Sequence, residues 1–375
     1  MGQVSDWSLA ARQRLQTAGG PVGGGVVDER CQLLDAGEQL LSQGDVQAAR
    51  QAFDRAAMML HAADTEAALV RTHMQAGEYR QALAFGARAA GAHRREWPAG
   101  TALYAWLLQV GGQGVVAQRM LDEAPVLAPD DAALLAAQAQ LARPWPQASG
   151  PLALPLQVAP YAVGAAVPPG ARVVGSALLL ASGTAALAPA ALLRTAALRP
   201  DQVWLRNGLG DTVAAQVEQP DEALGLVLLR LAAPLPAVAM MPVVHDPFAG
   251  APASMVEFGT ADGALAAAWP LLRQGFFSRV TAADGPRLLG IAAPAGPRGG
   301  PVFDAAGRLA GIAIAAADGQ DRLVPASALL LHFGPAWIGN TTRSSGVVAT
   351  GPARAEVDVV YERALRSVLQ VLLAR

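Results

Sequence analysis

Two patterns of apolar and polar positions divide the chain. Between residues 30 and 142 a glycine is followed five residues later by alanine and twelve residues later by another. The triples are Gly44, Ala49, Ala56; Gly77, Ala82, Ala89; and Gly112, Ala117, Ala124, spaced by 33 and 35 residues. Small residues let two antiparallel helices approach closely, and the glycine falls at the turn between them, where a positive backbone angle is readily adopted. This predicts a helical repeat. Downstream of residue 156 short Val, Leu and Ala runs alternate with turn residues, as in VVGSALLLASG, QVWLRNGLGDTVAAQV, LGLVLLRL and RLAGIAIA. That spacing predicts an all-β barrel domain over residues 156–339.

The proline- and glycine-rich stretch RPWPQASGPLALP, residues 143–155, cannot continue a helix and reads as a linker. Residues 1–29 read as a flexible tail; its run GGPVGGG lacks both the preceding strand and the GK[ST] ending of a phosphate loop. Residues 340–375 open with NTTRSSGVVATG and then carry Val357, Val360, Tyr361, Ala364, Leu365, Val368 and Leu372 at helical spacing. With Pro352 suited to a first turn, they predict a C-terminal amphipathic helix. The expected class is an α + β multidomain protein: helical repeats, a β barrel domain and a closing helix.

Residues 30–142 resemble a tetratricopeptide array, whose period is about 34 residues. The first repeat carries Gly37, Ala49, Phe53 and Ala56, and the third ends on Pro129. The second departs, with Val70 and Gly86 in place of the usual glycine and aromatic, and residues 131–142 read as a capping helix. The resemblance implies a concave face built from the first helix of each pair, on which Glu38, Arg71 and Trp106 would line a groove for a protein or peptide partner. The alternative is that this face is filled by the chain's own second domain or C-terminal helix.

Composition narrows the function classes. Hydrophobic residues make up 53% and charged residues 15%, with a formal net charge of -2 and no long basic run. Neither nucleic acid nor an anionic membrane is implied as a partner. One cysteine, Cys31, excludes an intrachain disulfide and any paired-cysteine zinc site. No metal or cofactor is expected, since HExxH and Walker sequences are absent. The first 27 residues lack the apolar core of about 7 to 15 residues that a secretory signal needs, and no later stretch is an uninterrupted apolar span of about 18 residues. The sequence as written therefore suggests a cytoplasmic protein, or a periplasmic one if a signal was removed; oligomeric state is left open.

Three passages in the second half carry a further resemblance. GPRGGPVFDAAGRLAGIAI, residues 296–314, resembles the nucleophile segment of HtrA-type and other trypsin-like serine proteases. VGSALLLASGTAALAPAALL resembles the passage that carries their histidine, and DEALGLVLLRLAAPLP the one that carries their aspartate. Their order is the family's order of base, acid and nucleophile. Each passage lacks its chemical residue. Arg298 stands where serine belongs, Gly225 where aspartate belongs, and Ala191, or Ala190 in a register one residue shorter, where histidine belongs. A guanidinium stays protonated and cannot act as a nucleophile.

The resemblance thus implies a pseudoprotease acting as an adaptor or scaffold. A serine-type endopeptidase using a non-standard or partner-completed site is the competing reading. Two readings of GPRGGP are open. If the turn persists, the backbone N–H groups of Gly296 and Arg298, with the guanidinium, could bind an anion or carboxylate. Otherwise Arg298 plugs the cleft or pairs with an acid.

Overall fold

In the computed structural model, residues 24–95, 97–124, 128–143, 167, 170–194, 203–238, 240–243, 245–259, 269–280, 287–316, 318–334 and 354–373 are described. The stretches 144–155 and 340–351, and Pro352, lie outside them.

The first unit is helical: α1 (Gly24–Ser42), α2 (Val46–Met59), α3 (Ala63–Ala76), α4 (Tyr79–Ala92), α5 (Pro98–Val110), α6 (Gly114–Glu123) and α7 (Ala132–Leu141). The three repeat glycines sit at the turns inside the pairs with positive φ, 83° at Gly44, 71° at Gly77 and 82° at Gly112. The six alanines that follow them are all buried. A Cβ on Gly37 would lie 2.4 Å from the Phe53 ring, so glycine is what lets α1 and α2 approach this closely. Asp45 caps α2 and Asp131 caps α7 by accepting backbone N–H groups of the first turn. Helix α1 begins at Gly24, so residues 24–29 are helical rather than part of a tail. Side-chain ion pairs secure its start: Arg30, 4% exposed, meets Asp64, and Glu29 lies 3.8 Å from Arg55.

The second unit is a pair of closed six-stranded barrels. Its strands are β1 (Arg172–Leu179), β2 (Ala185–Pro189), β3 (Val203–Asn207), β4 (Thr212–Asp221), β5 (Leu226–Leu231), β6 (Pro252–Glu257), β7 (Leu271–Val280), β8 (Arg287–Ile291), β9 (Pro301–Asp304), β10 (Leu309–Ala315), β11 (Asp321–Pro325) and β12 (Val368–Leu373). Three helices accompany them: α8 (Ala191–Arg194), α9 (Ala326–Phe333) and α10 (Val357–Ser367). The first barrel runs β1-β12-β3-β4-β5-β2 and the second β10-β11-β8-β7-β6-β9.

The end of the chain corrects two expectations. The helix of residues 357–372 stops at Ser367, and Val368–Leu373 forms a strand. Nor is the barrel domain confined to residues 156–339, because β12 lies between β1 and β3 and closes the first barrel. Every residue of β12 is buried, so VLQVLL presents apolar side chains on both faces and carries no alternation. A short continuous apolar run of this kind suits a buried helix or a buried strand equally.

Helix α10 also bolts the helical unit to the barrels. Tyr79, Trp269 and Tyr361 pack edge to face, with ring centroids 4.6 Å apart for the tyrosines and 6.1 and 6.2 Å from Trp269. The Tyr79 hydroxyl donates to the Leu107 carbonyl at 2.8 Å and the Tyr361 hydroxyl to the Pro270 carbonyl at 2.6 Å. Burial pushes both phenols far above their usual range. Around them Glu362 accepts from the Arg80 backbone N–H at 2.8 Å and from its guanidinium at 3.1 and 3.2 Å, and Arg366 donates to the Ala76 carbonyl at 2.7 Å. One apolar core runs through the junction without a break.

Candidate functional site

Three turns meet where the two barrels touch. Ala190, in the turn between β2 and α8, donates its N–H to the Gly225 carbonyl ahead of β5 at 2.9 Å. The turn before β9 packs against the same corner: a Cβ on Gly299 would lie 1.8 Å from the Ser176 carbonyl oxygen and 2.8 Å from Pro189 Cδ. Gly299 also has φ 129°, so no other residue fits there without moving backbone. Ser176 in β1 ties the pieces together, its N–H reaching the Arg298 carbonyl at 3.4 Å and its hydroxyl accepting from Phe258 N–H at 2.8 Å. The three passages expected to hold base, acid and nucleophile are therefore adjacent in space. Ala191 is exposed at the start of α8, and Gly225 has φ 66°, a left-handed angle that aspartate adopts only with strain.

Arg298 does not face solvent. Its side chain is 2% exposed and runs into the second barrel, where Nε lies 2.8 Å from Asp321 Oδ1 at the start of β11. The N–H does not point at that oxygen, so the contact is a close ion pair rather than an aligned hydrogen bond. Its Nη2 donates to the Pro294 carbonyl at 2.5 Å, and its Nη1 lies 3.8 Å from Glu257 at the end of β6. Arg273 of β7 approaches the same carboxylate at 3.8 Å. Of the two readings of GPRGGP, the guanidinium follows the second: it is spent on internal acids. The Gly296 backbone is exposed with φ 145°, and the Arg298 guanidinium is turned to Asp321, Pro294 and Glu257 instead.

Glu257, missed by sequence reasoning, is 0% exposed, and neither of its oxygens has a hydrogen-bond partner. Burial pushes its carboxyl up to about 7, Arg298 and Arg273 pull it down, and Asp321 raises it further. The available sign was an acid closing the otherwise uncharged run PASMVE. Between the ordinary value of 4.5 and about 7 the folded chain holds a proton that the unfolded chain has released. Stability from this group is thus complete below pH 4.5 and is lost as pH rises through 7. The unfolding free energy from denaturant titrations across that window should fall by an amount on the order of 3 kcal/mol, and Glu257→Gln should flatten the profile.

The groove residues separate. Arg71 and Glu38 form an ion pair between α3 and α1. Trp106 is 6% exposed and belongs to the central core, so it does not line an open groove. Trp106→Asp should accordingly destabilise the helical unit by about 4 kcal/mol in chemical denaturation, rather than act on partner capture alone. Elsewhere, His332 Nδ1 on α9 lies 2.9 Å from Asp221 Oδ2 at the end of β4. Cys31 is half-buried. Among the described residues no cluster of three or more His, Cys, Asp or Glu could hold a metal ion, and no helix is long and apolar enough to cross a membrane.

A family model described as "Trypsin-like peptidase domain" matches residues 164–312. The barrel pair has a trypsin-like fold. Among solved structures, the apo MamO protease domain from Magnetospirillum magneticum is 21% identical, with a TM-score of 0.31; the alignment covers 44% of this chain and 96% of that one. No curated protein matches. In the trypsin-like domain the corner described above joins the two barrels, as the order of the three passages anticipates. Its first barrel nevertheless depends on β12, which lies well outside the matched residues.

Proposed function

We propose that this chain is a non-catalytic scaffold that binds protein partners, and that its trypsin-like domain is a pseudoprotease. The observation that carries the reading is Arg298. The nucleophile turn is preserved down to the glycines that its packing demands, yet the residue at its centre is buried and engaged by Asp321. Ala191 and Gly225 stand at the other two positions, so proton abstraction, nucleophilic attack and orientation of a base all lack a side chain there. Protein binding through the helical repeat follows from the habit of such arrays. Glu38 and Arg71 remain the candidate contact residues.

The test is paired. Turnover of unfolded casein and labelling by a fluorophosphonate should both be absent. The His332–Asp221 pair favours one alternative, a base and orienting acid outside the three passages serving an unrecognised nucleophile. Labelling that disappears in His332→Ala would establish that alternative and overturn the scaffold reading.

A further inference from the structure

The segment carrying α10 and β12 fills two places at once. Its strand completes the first barrel between β1 and β3, and its helix lies against α4 with Tyr361 and Glu362 as anchors. Both places belong to distant stretches of sequence. No hairpin joins β12 to either neighbour, and residues 335–353 separate this segment from α9 in the sequence. Every contact fixing residues 354–373 would therefore be equally good if the segment came from another molecule.

The vacated state is costly. Release would expose Val360, Tyr361, Ala364, Leu365 and all six residues of β12. It would also leave β1 and β3 as open edges with unpaired backbone groups facing each other across a slot. An apolar, one-strand-wide slot with a fixed register selects a strand of one sequence. The partner that carries this sequence is a second copy of the chain, and exchange of identical elements creates no new interface chemistry.

We propose that residues 354–373 are an exchangeable element through which two copies of this chain associate, each closing the other's first barrel and docking on the other's α4. The closed monomer and the swapped pair share their contacts and differ in the connection. Concentration during folding then selects between them.

Arg172 and Leu373 are directly paired across β1 and β12, so a cysteine at each reports whose strand fills the slot. Arg172→Cys and Leu373→Cys chains, each also carrying Cys31→Ser, would be unfolded together, refolded together at about 100 μM and mildly oxidised. The expected result is a disulfide-linked pair of unlike chains, at least tenfold above a mixture combined after separate refolding. A chain carrying both cysteines serves as the geometric control. If it closes its own disulfide while the co-refolded mixture stays unlinked, exchange does not occur and the proposal falls. If that control does not close, the native mass after concentrated refolding decides: a two-chain species supports the exchange and a purely one-chain species overturns it.

Discussion

Replacing Leu369 with aspartate will destabilise the chain by at least about 4 kcal/mol, a large part of the stability of an ordinary domain. Leu369 is fully buried at the second position of β12, opposite Ala177 on one side and Asn207 on the other. It sits in the first barrel's core with Leu205, Val213 and Leu229. A carboxylate set among those apolar side chains loses its hydration, so the strand must leave the barrel or the site must take up a proton. Urea denaturation followed by circular dichroism measures the effect. Leu331→Asp is the control, since Leu331 is 84% exposed on α9 and its substitution should move stability by no more than about 0.5 kcal/mol. Equal, small effects at both positions would mean that β12 does not complete the barrel.

The second large effect is at Arg298. Arg298→Ser restores the residue type of the protease pattern but should yield no hydrolysis, because Ala191 and Gly225 supply neither base nor orienting acid. It should instead cost about 3 kcal/mol, since Asp321 and Glu257 lose the cation between them. The pH profile carries a second signature. Arg298 pulls the Glu257 carboxyl down, so its removal should shift the loss of stability to higher pH. Combining Arg298→Met with Glu257→Gln and Asp321→Asn should recover much of the loss, because a neutral, well-packed replacement lacks the desolvation penalty of the ions. A triple variant as unstable as Arg298→Ser would locate the arginine's contribution in its shape rather than its charge.

How much of this was readable beforehand depended on the kind of constraint. Gly44, Gly77 and Gly112 were legible because a left-handed turn leaves glycine in the sequence at a fixed period. The protease-like corner was legible for the same reason: Gly299 and Gly300 abut the backbone of Ser176 and Val256, a packing requirement strict enough to leave glycine at both positions. The clamp on Arg298 was not legible. Glu257 and Arg273 lie on paired neighbouring strands, but Asp321 on β11 and Arg298 ahead of β9 reach them only when the second barrel forms, and no spacing links the four. Trp106 was misplaced because repeat register identifies a helix but does not decide how deeply its face is covered. The strand at residues 368–373 was hidden by its own burial, which removed the alternation that marks a half-exposed strand.

The position of β12 has a consequence for synthesis on the ribosome. The other five strands of the first barrel are complete by Leu231, whereas Val368–Leu373 emerges more than a hundred residues later. At ordinary elongation rates that interval is about ten seconds, long compared with the folding of a small helical or β unit. The helical unit and the second barrel can form as they emerge, but the first barrel must wait with an open seam. Nascent chains on one message are neighbours during that wait, and a factor that shields the seam would govern how much of the product leaves the ribosome correctly closed.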